Sequence, residues 1–516
     1  MHRNGYLLPV VMLAAAFTAR AAHAQTAPPP SATTLDVMTL RLMLDKGILT
    51  QAEYDGALAE LVDSSGARAG DTNSLVFAKW SATLYGFFES DYIFDSTQSY
   101  TDLAGGALVA HPATYAAEHP RMQFSLRNTR IGLRFRAPEY RQVRASARIE
   151  TDLVGDWASP SYSGASGQPS ENQFFTSPGL RIRHAFVKVE TPVVDVLAGQ
   201  TWHLFGWQPV YQPNTQGVPG ELFSRTVQVR LSKTFTAKNA QLDVAIAAMR
   251  PPQRDSAIPE GEAAIHFAVT DWTGIQTLGA TGATVSPASL TVSGDVRGFS
   301  VANYPTGGTV ASPSLKSTYG VSEMGGAIAL DAFIPSVRAT KDDMDDALSF
   351  MGELVYGQGM GDLYAGLTSG LGVPALVPVP AGSPAGTAST TPYNPQVDPG
   401  FVSVDGAGNI SVIEWQTVRV GLQYTLPRLD GKMWLAANYA NVSSPNAPGL
   451  VTPASGTTPS NASAVRNALN WFNLYFMSEL TPQIHLGLEY DYSNDKYCDG
   501  QHGINHRVLG AAYYVF

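Results

Sequence analysis

From Leu75 to the final Phe516, apolar and polar residues alternate in short runs with a period of two. In "TRIGLRFRAPEYRQVRASARIE", Thr129 to Glu150, the residues Ile131, Leu133 and Phe135 interleave with Arg130, Arg134 and Arg136, and Ala145, Ala147 and Ile149 interleave with Arg144 and Arg148. Residues two apart share a face only on an extended strand, because a helix needs spacings of three and four. The stretch is therefore a hairpin that turns at 137–142. The same alternation sets Val418, Val420, Leu422, Tyr424 and Leu426 against Arg419, Gly421, Gln423 and Thr425, and Ile484, Leu486, Leu488, Tyr490 and Tyr492 against His485, Gly487, Glu489 and Asp491. Along the whole chain the pattern predicts sixteen strands, an even number, over 76–95, 121–136, 142–154, 180–190, 193–202, 225–235, 239–249, 262–271, 288–303, 324–338, 347–358, 412–426, 432–442, 470–480, 483–493 and 504–516.

The connections discriminate between the two walls such strands could build. A soluble sandwich would turn its apolar face to a core, whereas a membrane barrel would turn it to lipid and its polar face to a water-filled lumen. Tight turns such as 137–142, 191–193, 427–432 and 481–482 alternate with long polar segments at 96–120, 155–179, 203–224, 359–411 and 443–469. Barrels sort their connections this way and sandwiches have no reason to. In the last strand, "HRVLGAAYYVF", Val508, Gly510, Ala512, Tyr514 and Phe516 share one face up to the terminal aromatic, and termini of soluble proteins usually fray into solvent. Tyr85, Phe87, Tyr92, Phe94, Tyr424, Tyr439, Phe472, Phe476, Tyr490, Tyr492, Tyr514 and Phe516 are expected to form interfacial girdles, with ordinary strand propensity as the bland alternative. The expected fold is thus all-β, a transmembrane antiparallel barrel of about sixteen strands.

The N-terminus has a basic start, an apolar run over 6–17 and a small-x-small end at Ala22-His23-Ala24, the form of a secretory signal peptide over 1–24. The run is too short to span a bilayer, which takes about 20 residues. A Pro/Ala/Thr linker follows, then Leu35, Met38 and Leu42 at helical spacing, a stop at Gly47, and a capping box at Thr50–Glu53. A short helical hairpin over 34–62 is expected, so that 25–74 is a periplasmic linker and hairpin and 75–516 the barrel.

Composition agrees. The chain is 44% hydrophobic and only 15% charged, against about 25% charged for soluble domains. A net charge of −10 speaks against a nucleic-acid partner. Cys498 is the one cysteine, in a polar loop, so no internal disulfide forms and the wall must be held by its hydrogen-bond ladder.

Fourteen of the arginines lie between Arg121 and Arg254. Arg130, Arg134, Arg136, Arg144, Arg148, Arg181, Arg183 and Arg230 are expected to line the lumen as a ladder on one wall, where they stay hydrated and attract small anions. Pairing with Glu150, Asp152, Glu190 and Asp243 is the alternative. Parity is ambiguous at Arg183-His184. The third long connection, "HLFGWQPVYQPNTQGVPGELF", is aromatic and nearly uncharged; if it folds inward, Trp207, Tyr211 and Glu221 narrow the channel. His184, His266, His485 and His506 are scattered, and no nucleophile or zinc motif occurs, so neither an enzyme nor a cofactor is expected. A structural or adhesive barrel is the stronger rival, a barrel hydrolase the weaker.

"LRIRHAFVKVETPVVDVLAGQTWHLFG", Leu180 to Gly206, resembles the Arg-x-Arg-His-Ala-aromatic and Ala-Gly-Gln-Thr-Trp segments of DcaP-like porins, a family related in style to phosphate-selective porins. Arg181, Arg183, Gln200 and Trp202 are the matching motif residues. The resemblance implies a sixteen-stranded channel in the outer membrane of a Gram-negative bacterium, in contact with its lipid, assembled as a homotrimer and passing small organic anions such as dicarboxylates, or phosphate.

Overall fold

The structure, a computed structural model, describes residues 74–77, 80–103, 108–155, 179–206, 220–222, 224–253, 256–277, 283–303, 319–364, 400–404, 410–451 and 461–516. The expected signal peptide, linker and helical hairpin fall outside these residues, as do Trp207 and Tyr211.

Sixteen strands form one closed antiparallel ring: β1 (Trp80–Asp95), β2 (Arg121–Ser125 continuing as Arg130–Arg136), β3 (Arg144–Gly155), β4 (Gly179–Glu190), β5 (Asp195–Trp202), β6 (Arg225–Thr236), β7 (Ala240–Met249), β8 (Glu260–Thr277), β9 (Ala283–Asn303), β10 (Tyr319–Val337), β11 (Leu348–Gln358), β12 (Glu414–Thr425), β13 (Met433–Ser443), β14 (Arg466–Glu479), β15 (Ile484–Tyr497) and β16 (His502–Val515). Each pairs with the next in sequence, and β16 returns to β1 from Phe87↔Val515 to Asp95↔Arg507. The two halves of β2 lie along the same edge of β1. A stub, Ser74–Phe77, folds back on the start of β1. Closure leaves none of these sixteen strands with an open edge facing lipid, as a bilayer requires.

Every expected strand is present. β8, β9 and β10 run 18, 21 and 19 residues, well beyond the roughly ten that cross a bilayer. Their extra length begins where the outward face loses its apolar residues, at Asp271 and Thr273 in β8 and before Leu290 in β9.

The faces separate cleanly. Outward positions carry exposed large apolar side chains around the ring, among them Leu84, Phe88, Ile131, Ile149, Val229, Ile265, Val292, Leu330, Leu354, Val420, Leu474 and Leu488. In water such a belt would be untenable; in a bilayer it meets lipid tails. Inward positions are polar, aromatic or small, and many are fully covered, because side chains and inward-folded connections fill much of the interior. The expected girdle needs one correction. Tyr85 and Phe87 point inward, since they share parity with Ser81, Glu89 and Asp91, whereas Phe88, Tyr92 and Phe94 face out.

The seam between first and last strands is sealed at Gly86. Its N–H donates to the Phe516 carbonyl and Phe516 N–H donates to the Gly86 carbonyl, both at 3.0 Å, while the Phe516 ring lies 5.4 Å from that of Phe88. A Cβ on Gly86 would fall 2.1 Å from the Arg130 carbonyl oxygen, so only glycine lets three strands converge there.

Candidate functional site

The inward face of β2, β3 and β4 gathers the predicted arginines. Alternation puts Arg130, Arg134 and Arg136 of β2 and Arg144 and Arg148 of β3 inside, opposite Ile131, Phe135 and Ile149 outside. Two carboxylates anchor them. Glu150 is met by Arg183 Nε at 2.8 Å, by Arg130 Nε at 3.6 Å and by Arg148, and it accepts a hydrogen bond from the Tyr85 hydroxyl at 2.8 Å. Asp152 receives Arg181 through two bonds, 3.0 and 2.6 Å, and Arg183 Nη1 at 3.0 Å. Four guanidiniums thus converge on two acids. Tyr85 acts as a platform: Arg134 lies 4.1 Å above its ring centroid and Arg148 Nε reaches its hydroxyl.

Exposure within this cluster is unequal. The Glu150 and Asp152 side chains are 2% and 0% exposed, but those of Arg148, Arg181 and Arg144 keep 30%, 33% and 66%. Arg134 and Arg136 are also exposed. What the cluster presents to the interior is positive. Arg144 pairs with the half-buried Glu190 at 3.4 Å, and Arg230 points inward from β6, bonded to the Trp202 carbonyl and Gln228.

A β-bulge resolves the ambiguous parity at Arg183-His184. In the β3–β4 ladder Glu150 pairs with His184 and Thr151 with Ile182, which makes Arg183 the inserted residue, so Arg181, Arg183 and His184 all face inward while Ile182 stays outside. The motif residues serve this bulge. The Gln200 side-chain amide donates to the Ile182 carbonyl at 2.7 Å, Thr201 bonds His184 at 3.1 Å, and Trp202 lies between Arg183 and Arg225, 5.8 and 4.3 Å from its ring centroid. Arg225, at the start of β6, escaped sequence reasoning because it opens its strand where parity has not yet declared itself.

The third long connection enters the barrel. His203 Nδ1 bonds Glu262 of β8 at 2.7 Å, the Leu204 and Phe205 amides donate to the other Glu262 oxygen at 2.6 and 3.0 Å, and the Gly206 amide donates to Ser293 of β9. His203, Glu260 and Glu262 bring three ligand-type atoms together, but Glu262 is engaged with the loop and Glu260 with Arg297, so the trio serves as the loop's anchor. Further on, Leu222 bridges Tyr364, and Gly220 lies against Ala440 and Val442 of β13, on the far side of the ring from β5 and β6. Glu221 is buried at this crossing.

On the β1–β15–β16 wall acids prevail and are hidden. Arg507 clasps Asp95 at 2.9 and 2.8 Å, Arg466 clasps Asp495 at 2.9 and 2.7 Å, and Arg127 pairs with Asp102 at 2.7 Å. Glu489 and Asp491 each accept from Asn473 at 2.9 Å, and Asp91 accepts from Asn128 at 3.2 Å. This wall therefore shows the interior little net charge.

No protein-family model and no curated protein matches the chain. Solved structures do. The outer membrane channel DcaP of Acinetobacter baumannii is 17% identical, with a TM-score of 0.53 over 85% of this chain and 97% of that one. OmpT of Vibrio cholerae, as its loop L8 deletion mutant, is 12% identical at a TM-score of 0.42 over 85% and 99%. OprB of Pseudomonas putida is 10% identical at 0.41 over 90% and 97%. The likeness to DcaP concerns the fold, which is that of a porin-type outer-membrane β-barrel.

Proposed function

We propose that the protein sits in the outer membrane of a Gram-negative bacterium as a water-filled diffusion channel for small hydrophilic solutes, and that its lumen favours anions such as dicarboxylates or phosphate. The observation that carries the anion preference is the unequal exposure on β2–β4: the carboxylates lie buried under the guanidiniums, and Arg134, Arg136 and Arg144 remain open to the interior. Hydrated guanidiniums along a low-dielectric wall raise the local concentration of anions. Glu221, with Trp207 and Tyr211 on the same inward connection, narrows the passage in this reading. The channel assembles as a homotrimer, which light scattering on the detergent-solubilised protein tests.

In a planar bilayer the purified protein is expected to give stepwise conductance; a flat trace would instead favour a structural or adhesive barrel. In a KCl gradient the reversal potential should have the sign of anion preference. Arg134→Ala with Arg144→Ala should move it toward zero, because both carry exposed charge outside the Glu150–Asp152 ion cluster, Arg134 stacked on Tyr85 and Arg144 beside Glu190. Cation preference in the unmodified protein would defeat the reading.

A further inference from the structure

One hairpin leaves the wall at the end of the barrel where the connections are tight. The β8–β9 ladder runs in register from Gly261↔Val296 to Val269↔Ala288, skips 270–272 on β8, and resumes from Thr273↔Pro287 to Thr277↔Ala283. Beyond that break neither arm pairs with a further strand. The ladder to β7 stops at Val269↔Ala240, and β10 takes up β9 only from Ser289↔Phe333. The last five pairs of β8 and β9 are therefore a two-stranded ribbon on its own, and such a ribbon is marginally stable in water unless something holds it.

What holds it lies inside the ring. The three residues inserted at 270–272 bend β8, as a bulge does, and the bend carries the ribbon over the inner ends of the following strands. The Trp272 indole N–H donates to the Pro335 carbonyl at 2.7 Å, the Thr273 hydroxyl to the Ala339 carbonyl at 2.6 Å, and the Ala339 N–H to the Thr273 carbonyl at 3.0 Å. Ile275 is buried with Ala339 and Ala347, and Met344 packs at their edge. Gly274 lies against Pro335 and Ser349, where a Cβ would fall 2.4 Å from the Pro335 Cβ and 2.9 Å from the Ser349 Oγ. Pro335 and Ser349 alternate with Ile334 and Phe350, which face out, so the surface the ribbon covers is the inward one. β8 thereby touches β10, β11 and β12, none of them its neighbour in the ring.

We propose that this ribbon is a second narrowing of the channel, at the mouth opposite the long connections, and that it screens solutes by size while the arginines act on their charge. The inference rests on the channel reading. Over 270–277 and 283–287 the only charged residue is Asp271, at the root, where it accepts from the Asn239 amide at 2.7 Å. A neutral obstacle excludes by volume and leaves the sign of the field to the wall. A ribbon that only braced the wall would make the same contacts, and conductance separates the two roles.

Exchange of 270–287 for Asn-Gly joins the paired Val269 and Ala288 by a two-residue turn. In concentrated KCl, where wall charge is screened, the exchanged protein is expected to give larger conductance steps than the unmodified one. Liposomes carrying it should admit raffinose faster relative to arabinose. The reversal potential in dilute KCl should keep its sign, because Arg134, Arg136 and Arg144 are untouched. Should the exchanged chain fail to give a heat-modifiable barrel, Gly274→Val, whose side chain forces the ribbon off Pro335 and Ser349, should enlarge the steps in the same direction. Steps and relative sugar rates unchanged in a folded variant, or a turn to cation preference once the ribbon is gone, would overturn the proposal while leaving the channel reading intact. A flat trace from the unmodified protein would defeat that reading and the proposal with it.

Discussion

At the scale of single residues, Glu150 does more than any one arginine. Three guanidiniums and a tyrosyl hydroxyl use its two oxygens, so its charge keeps Arg130, Arg148 and Arg183 from repelling one another in a half-desolvated corner. Glu150→Gln preserves the shape and removes the charge. Breaking one partner of a buried ion cluster typically costs about 3–5 kcal/mol, and a loss of that order is expected in urea unfolding of the vesicle-embedded protein, together with a reversal potential shifted further toward anions. An unchanged midpoint would mean that the arginines hold their places without it. The sequence made the arginines and their acids visible through parity alone, because Glu150 and Asp152 share the face of Arg148. It misplaced Tyr85 and Phe87, because β1 carries aromatics on both faces and the adjacent Phe87 and Phe88 read alike until register separates them.

At the scale of elements, strand positions were almost wholly legible, since a half-buried strand writes its period into the chain. Two features were not. The extensions of β8 to β10 carry no apolar alternation because they stand outside the lipid belt, and the bulge in β4 hides the parity of Arg183 and His184 by inserting one residue. The bulge makes a sharp expectation. A one-residue slip in a regular ladder sends every later side chain to the wrong face, but deleting the residue that is already extra restores a regular ladder. Removal of Arg183 should therefore still yield a heat-modifiable barrel on gels. Removal of Ala185, which pairs with Ile149 and Gln200, should push Phe186 and Lys188 toward the opposite faces and abolish it. Equal tolerance of both deletions would contradict the β3–β4 register.

At the scale of the whole molecule, closure could be read from an even strand count and sorted connections, but the contacts of the inward connections could not. Gly220 meets Ala440, and Leu222 meets Tyr364, contacts between segments far apart in sequence that no local pattern records. Nor does the net charge of −10 foretell the potential inside, because carboxylates on the β1–β15–β16 wall are clasped or covered while guanidiniums on β2–β4 stay exposed. In the proposed channel, selectivity would depend on a field set by exposed charge, and such a field is screened by salt. The screening length falls from about 10 Å at 0.1 M to about 3 Å at 1 M. The anion preference should accordingly be strongest in dilute KCl and decline toward parity near 1 M at a fixed concentration ratio, whereas the folded state, held by pairs such as Arg507–Asp95 that solvent does not reach, should keep its heat-modifiable mobility throughout. A preference that survived 1 M KCl undiminished would point instead to direct coordination of the anion at a narrow point, and would move the origin of selectivity from the wall to the inward connection.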